Sequence, residues 1–560
     1  MERTPDWWKS AVVYQIYPRS FADGNGDGIG DLRGILEHLD HLVALGIDAV
    51  WLSPVYRSPQ DDNGYDISDY EDIDPLFGSL ADMDELIAAL HARGIKLVMD
   101  LVVNHTSDEH PWFQESRDRN SGKSDWYWWA DPRQGFEANT PGAEPTNWKS
   151  VFSGSAWSFD ERRGQYYLHL FGRKQPDLNW ENPAVRHAVY DMMRWWVDRG
   201  IDGFRMDVIN LISKRVPLRD DEADSGRALG PNSGYVDGPR MDEFLHEMNQ
   251  TVLKGRNLLA VGECPGVGIE QASKYTDPSR EELGMVFQFE HMELDVQPGE
   301  DKWALKPLHL PDLKLSLARW QEGLEGRGWN SLYWSNHDQP RIVSRWGDDS
   351  DENRANSAKT LGTVLHMMKG TPFIYQGEEI GMTNAGFTSI DQYRDLETLN
   401  RYAEAMASGV DEQALLGTFA AKSRDNARYP VSWDDSERAG FTTGVPWLPV
   451  HPNRTRVNAA AERSHEGSVF HHYRRLIELR HTYPVVRDGV FVLLHPEHEQ
   501  LFAYTRTLDG TEPLLVLANM SSTPCDLPMD CRVDGEVLLA THRTRAYDEL
   551  APWESRVVLI

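Results

Sequence analysis

Eight short apolar runs, each set off from the next by a longer, mostly amphipathic stretch, constrain this 560-residue chain more than any other feature. The runs fall at 12–17, 49–52, 95–103, 201–206, 258–261, 285–289, 331–334 and 372–375. Most are predominantly apolar rather than strictly alternating, with isolated polar residues such as Gln15, Lys96, Asp100 and Arg205 inside them, as expected of strands covered on both faces. The stretches between them carry helical spacing. In 32–45 the apolar positions are Leu32, Ile35, Leu36, Leu39, Leu42 and Val43, and Gly46 ends the run. Further helices are expected at 83–91 and 184–198. Eight strands alternating with helices predict an α/β fold, a closed parallel (β/α)8 barrel of the TIM type, rather than a sandwich.

Two regions break the alternation. After the third run comes a polar, Trp-rich stretch with no clear helical pattern at first, expected to form a small excursion domain over 106–176. Near 484 the character changes again. Segments 490–494, 501–506, 514–518, 536–539 and 555–560 alternate or are rich in β-formers, with turn residues between them. The expected division is a barrel over 1–105 and 177–483, the insert, and a C-terminal antiparallel β-sandwich domain over 484–560.

The formal net charge of −31 opposes binding to nucleic acid and favours solubility. Three cysteines, Cys264, Cys525 and Cys531, are too few for a disulfide framework and lack metal-ligand spacing. Cys525 and Cys531 are near enough in sequence to pair, but reduced thiols are the expectation. No stretch approaches the ~18 apolar residues of a membrane span, and the N-terminus has no signal-peptide pattern. A cytoplasmic enzyme without nucleic-acid or membrane partners is expected, a monomer with a dimer as the alternative. Twenty Trp and 20 Tyr suggest aromatic platforms for sugar faces, although most belong to ordinary core.

In a barrel of this kind the chemistry sits where strands end at their C-terminal edge. Asp62 and Tyr65 follow the second run, and the third ends in Asp100-Leu-Val-Val-Asn104-His105. The fourth ends in Arg205-Met-Asp207, the fifth in Gly262-Glu263, and the seventh in Asn336-His337-Asp338. One carboxylate at a strand end usually caps the next helix. Three acids with two histidines and an arginine call for another explanation. Glycosidic cleavage needs such a set: one carboxyl protonates the leaving oxygen and a second attacks the anomeric carbon. Neutral histidines and Arg205 would donate hydrogen bonds and hold a nucleophile ionised.

DLVVNH (100–105), GFRMD (203–207), VGE ending at Glu263, and SNHD (335–338) resemble, in order, the four signature regions of the α-amylase superfamily, glycoside hydrolase family 13. The resemblance runs over essentially the whole chain. It implies Asp207 as nucleophile, Glu263 as general acid/base and Asp338 as transition-state stabiliser. It implies His105 and His337 as hydroxyl ligands, Arg205 orienting Asp207, and Tyr65 as the stacking platform. Asp62 and Arg424 resemble the pair that closes the pocket of exo-acting members. Phe171 would line that pocket from the insert, and Arg428 would stand no nearer than behind its wall.

QPDLN (175–179) and GFRMDVINLISK (203–214) are similar to the oligo-1,6-glucosidase and dextran glucosidase group. There, Val after the nucleophile accompanies α-1,6 activity and Thr accompanies α-1,4. Val208 therefore implies an exo-acting retaining α-glucosidase cleaving α-1,6 linkages of small oligosaccharides. Cys264 and RYPVSW (428–433) depart from the group's usual Met and RTPMQW, which leaves the leaving-sugar site open. The alternatives are an α-1,4 enzyme, a dextran glucosidase, or a trehalose-6-phosphate hydrolase with Lys174 or Lys214 on the phosphate. A sucrose isomerase fits less well, because SRWGDDS (344–350) stands where those enzymes carry an Arg-Leu-Asp-Arg-Asp-like segment. Transglucosylation and a non-enzymatic partner role complete the alternatives.

DGNGDGIGD (23–31) places Asp23, Asn25, Asp27, the Ile29 carbonyl and Asp31 at alternate positions, as in the first nine positions of an EF-hand loop. Position twelve is Gly34 rather than Glu, so no EF-hand is expected. The oxygen spacing suits a structural Ca2+, or Mg2+ with more water, and no organic cofactor is implied. A metal-free Asp/Gly turn is the simpler alternative. Asn104 resembles a calcium ligand of true α-amylases but is expected here to serve the hydrogen bonds around the pocket.

Overall fold

A computed structural model describes residues 6–221, 229, 233–542 and 546–560. Eight parallel strands form the centre: β1 Val13–Ile16, β2 Ala49–Leu52, β3 Lys96–Val102, β4 Gly203–Asp207, β5 Leu259–Glu263, β6 Met285–Phe287, β7 Ser331–Tyr333 and β8 Thr371–Tyr375. Their order is β6-β5-β4-β3-β2-β1-β8-β7, and a parallel bridge between Val286 and Asn330 joins the two ends into a barrel. All eight expected runs are strands, differing at the ends by a few residues. Ile95 and Ile201 lie before their strands as buried apolar lead-ins.

The expected helix over 32–45 is two helices, Leu32–Glu37 and Leu39–Leu45. The break is at His38, whose φ of −110° and ψ of 10° leave the helical region while its Nδ1 lies 2.9 Å from the Gly34 carbonyl. The first segment packs on helix Leu80–Ala92 and the second on helix Val469–Thr482. Helix starts carry their own caps. Ser79 and Asp82 form a reciprocal capping box, and Asn182 precedes Pro183 at the first turn of Pro183–Arg199.

The insert contains a short helix, Pro111–Ser116, and an antiparallel sheet with Gln165–Leu168 between Trp129–Ala130 and Trp157–Asp160. The helix had no clear sequence pattern. Trp128, Trp148, Trp157 and Tyr166 make a separate core that also takes in Val208 and Leu211, so the insert packs directly on the loop after β4. An antiparallel bridge from His105 to Asp177 ties its two ends together.

The C-terminal region carries a five-stranded antiparallel sheet, in the order Val490–Leu494, Leu501–Thr507, Leu514–Asn519, Ser555–Leu559, Glu536–Ala540. Period-two alternation divides its faces. Leu501, Ala503 and Leu515 pack against the two-stranded sheet of Cys525–Asp526 and Glu549–Leu550. Phe502, Tyr504 and Leu514 join the barrel core, and the Tyr504 hydroxyl donates to the Val364 carbonyl at 2.8 Å. All three cysteines are buried free thiols. Among the described residues no helix is long and apolar enough to cross a membrane.

Candidate active site

The strand geometry sets the site. In β4, residues 203, 205 and 207 share one face. At Gly203 a Cβ would lie 2.3 Å from the Leu259 carbonyl oxygen, so only glycine lets β4 and β5 approach this closely. Arg205 and Asp207 follow on that face. The Arg205 guanidinium reaches three carboxylates: Asp100 at 2.9 Å, Asp207 at 2.5 Å and Glu263 at 2.7 Å. It also lies over the Trp51 ring, 5.0 Å from its centroid. Asp100 additionally accepts from Trp51 Nε1 and from the Tyr65 hydroxyl, each at 3.0 Å.

One guanidinium cannot offset the burial of three carboxylates. Burial pushes the Asp207 carboxyl up to about 7, Arg205 opposing it and Asp100 adding to it. Burial pushes Glu263 to about 8, again against Arg205, with Asp207 and Asp338 reinforcing the rise. At neutral pH the pair favours one ionised carboxylate and one proton, held on Glu263. The Val208 backbone N–H also donates to Glu263 Oε2, at 3.1 Å. Val208 does so from a left-handed conformation, φ 35° and ψ 41°, unusual for a β-branched residue.

Asp338 is in the opposite situation. Burial acts to raise its carboxyl, but His337, Arg424 and Arg428 outweigh it and hold it well below the usual carboxylate range. Arg428 Nη2 lies 2.5 Å and Arg424 Nη1 3.3 Å from Asp338 Oδ1. His337 is kept neutral, pushed down to about 3 chiefly by burial. Its Nδ1 is 2.9 Å from Gln15 Nε2, which can only donate, so the ring proton belongs on Nε2, 3.2 Å from Asp338 Oδ2. The His337 ring is stacked on Tyr65, centroids 5.1 Å apart and planes within 4°.

One cavity of about 480 Å³ opens over this arrangement. Of the residues singled out from sequence, Asp207, Glu263, Asp338, Asp62, Tyr65, His105, Phe171, Val208 and Arg424 line it. Arg205 and His337 do not. Each is 1% exposed and stands behind the acids it contacts. His337 thus faces Asp338 rather than the cavity. His105, also neutral through burial, has Nε2 3.1 Å from the Tyr65 carbonyl. Cys264 is fully buried and off the cavity wall, where Pro265 and Gly266 stand instead. Of RYPVSW, Arg428 grips Asp338, while Tyr429, Val431 and Trp433 are buried outside the cavity.

Asp62 and Arg424 form a buried pair at 3.2 Å on one wall. Arg424 is fixed by Asp395 at 2.6 Å and lies over the Phe152 ring at 4.9 Å. Gln175 Nε2 donates to Asp62 Oδ2 at 3.1 Å. Gln15, Trp51, Phe152, Gln175 and Asp395 thus serve the site without having been singled out. Gln175 opens the QPDLN segment, and that segment was the available signal. The others sit in stretches that carry no pattern of their own. At the outer mouth Lys302 pairs with Glu397, and Arg401 with Asp301 at 3.5 Å. Lys174 is held by Asp108 and Glu109 on the surface. Lys214 is fully buried, with Nζ 2.7 Å from Asp177, 2.9 Å from Asn104 Oδ1 and 2.8 Å from the Leu211 carbonyl. Asn104 Oδ1 thus has an ammonium as its partner.

The 23–31 loop is tightly hydrogen-bonded. Asp23 Oδ1 accepts from Asn25 and Gly26 N–H, and Asp27 Oδ1 from Ile29 N–H. Asp31 Oδ1 caps the next helix through Gly34 N–H at 2.7 Å. Burial raises the Asp31 carboxyl, with Asp23 and Asp27 adding to the rise. The donor set is all oxygen and includes three carboxylates, which fits a hard cation.

A family model described as the α-amylase catalytic domain matches residues 15–489. An oligo-1,6-glucosidase of Parageobacillus thermoglucosidasius is 55% identical over the full length of both chains. The structure of a trehalose-6-phosphate hydrolase from Bacillus licheniformis superposes with a TM-score of 0.92 at 47% identity, covering 99% of each chain. That of an isomaltulose synthase from Klebsiella gives 0.94 at 41% identity, covering both chains fully. The chain belongs to the α-amylase family and is a glycoside hydrolase.

Proposed function

We propose that this enzyme is an exo-acting retaining α-glucosidase that cleaves α-1,6 linkages at the non-reducing end of small isomalto-oligosaccharides. One observation carries the reading. The three acids open into a single cavity whose wall is closed by the buried Asp62–Arg424 pair. Such a pair gives a terminal glucose hydrogen-bonding partners and leaves a continuing chain no passage.

In the first step the Asp207 carboxylate attacks the anomeric carbon. The bond to the leaving oxygen breaks as Glu263 delivers its proton there, giving a glucosyl ester of inverted configuration on Asp207. In the second step Glu263, now ionised, takes a proton from water. The water oxygen attacks the anomeric carbon, the ester bond breaks, and Asp207 leaves as a carboxylate. Two inversions return the α configuration. Asp338, held ionised by Arg424 and Arg428, faces the developing oxocarbenium charge.

The α-1,6 preference rests on Val208 at the cavity wall and on the 55% identical oligo-1,6-glucosidase. The trehalose-6-phosphate reading needs a cation for phosphate. Lys214 is buried in its own network, Lys174 is paired outside the cavity, and of the cations that line it Lys302, Arg401 and Arg424 are each matched by a carboxylate, while Lys149 lines it as well. The weight of these pairings favours a neutral sugar. Hydrolysis of isomaltose, maltose, sucrose and trehalose 6-phosphate, with NMR of the first anomer released, tests the proposal. Fastest cleavage of isomaltose with α-glucose as first product is expected. Preference for phosphorylated trehalose, or release of β-glucose, would refute it.

The 23–31 loop is proposed to hold a structural Ca2+ through Asp23, Asn25, Asp27, Asp31 and the Ile29 carbonyl. The cation would offset the mutual repulsion of the three aspartates. A calcium-dependent rise in Tm, lost in Asp27→Ala, is expected; an unchanged Tm contradicts it.

A further inference from the structure

We infer that the C-terminal domain carries a second metal site, for a zinc-like divalent ion, built from His495, Asp530 and Cys531. One donor atom from each lies within 4.8 Å of the other two, the only such group of three His, Cys, Asp or Glu side chains among the described residues. The donors come from two places. His495 lies in the loop between strands Val490–Leu494 and Leu501–Thr507, and the other two end the turn Met529–Cys531. His495 Nε2 is 3.0 and 3.1 Å from the two Asp530 oxygens. The Cys531 thiol is buried and free, on the packing surface between the two sheets.

The donor chemistry selects the ion. Thiolate, imidazole and carboxylate suit Zn2+ and its neighbours and are poor ligands for Ca2+ or Mg2+. Ligands at about 2.0–2.3 Å from zinc, arranged tetrahedrally, stand roughly 3.3–3.7 Å apart. To reach this the His495–Asp530 contact opens slightly, and the Cys531 sulfur closes in from within 4.8 Å of the other two donors. Exposure is graded: the side chains of Asp530 and His495 are 66% and 31% exposed, and Cys531 is buried. An ion therefore has an entry path and a fourth position open to water.

The loop is also held in place from behind. Lys314 Nζ donates to the carbonyls of His495, His498 and Leu501 at 2.9, 2.6 and 3.1 Å. Its contacts are to backbone oxygens, so the His495 ring stays available. Binding displaces the thiol proton to solvent, and one thiolate, one carboxylate and a divalent ion leave no net charge. The ion would clasp the 495–500 loop to the 529–531 turn, away from the catalytic cavity.

Titration of the chelator-stripped full chain with Co2+ tests this. One equivalent should produce a near-ultraviolet thiolate-to-cobalt absorption that Zn2+ then displaces. Cys531→Ser should abolish it, Cys525→Ser should leave it, and His495→Ala should weaken binding at least tenfold. Zn2+ should raise the Tm of the wild type and not of Cys531→Ser, with turnover of an aryl α-glucoside unchanged. Should Cys531→Ser not fold, His495→Ala and Asp530→Asn, both altered at exposed side chains, decide the matter. Absence of the band, its survival without Cys531, its loss in Cys525→Ser, or unweakened binding in both exposed-side-chain variants would overturn the inference.

Discussion

The two sides of the catalytic cavity use the same residue types to opposite effect. Around Arg205, one guanidinium is shared by Asp100, Asp207 and Glu263, and burial wins: the catalytic pair is pushed up to about 7 and about 8. Around Asp338, two guanidiniums and the His337 N–H serve one carboxylate, and the charges win despite burial. The difference fits the proposed division of work. A side short of positive charge keeps a proton to transfer. A side rich in it keeps an anion that does not change.

The largest effect should come from the proton-poised side. Asp207→Asn removes the proposed nucleophile and Glu263→Gln the proposed proton donor, and each should lower kcat by roughly 10³-fold or more. With an aryl glucoside, whose leaving group needs less protonation, Glu263→Gln should recover more of the first step than Asp207→Asn. Burst kinetics would reveal it, and equal deficits on both substrates would undo the division of roles.

On the anionic side, Arg428→Met removes a charge-assisted hydrogen bond to Asp338. Such bonds are worth about 1.5–3 kcal/mol, so a loss of roughly 10- to 100-fold in kcat/KM is expected. The Asp338 carboxyl should also rise toward the ordinary range, steepening the acid limb of the pH profile. A variant of normal rate and profile would show that Arg424 alone suffices.

The pH profile itself reads the first side. Asp207 must be ionised, so activity should fall as pH drops below about 7 and the carboxylate takes a proton. Glu263 must be protonated for the first step, so activity should also fall as pH rises above about 8. A bell-shaped kcat/KM is expected, and a plateau reaching pH 4 would contradict the account of one overextended guanidinium. The smallest effect belongs to the wall between the two sides. Val208→Thr should raise maltose over isomaltose cleavage by a few fold, in line with the ~1–3 kcal/mol a pocket contact contributes to discrimination. An unchanged ratio would place linkage choice elsewhere.

Much of this was legible in the chain because strands have period two. Arg205 and Asp207 face one way, and the predominantly apolar runs mark where each strand ends. Asp207 and Glu263 could therefore be found as the first polar residues past their runs, and Asp338 in the polar stretch 335–338 beyond the seventh. What fixes their protonation was not legible. Gln15 sets the His337 tautomer from β1, Asp395 holds Arg424 from a loop end, and Phe152 covers it from the insert. These contacts span tens to hundreds of residues and follow no local period. Arg428 was placed behind the pocket wall, and it does stand there, yet it touches Asp338 directly. His38, which breaks an apparently continuous helix, lies in a perfect helical pattern that tertiary contacts override. The left-handed Val208 is equally silent in sequence, since valine ordinarily avoids that region.

Asp207, on the charge-poor side, is proposed to form the covalent bond to glucose. Trapping the enzyme with 5-fluoro-α-glucosyl fluoride, followed by peptide mass spectrometry, tests it most directly. A fluoroglucosyl ester on the peptide containing Asp207, at that residue, is the predicted result. A label on Glu263 or Asp338, or turnover with no ester formed, would contradict it.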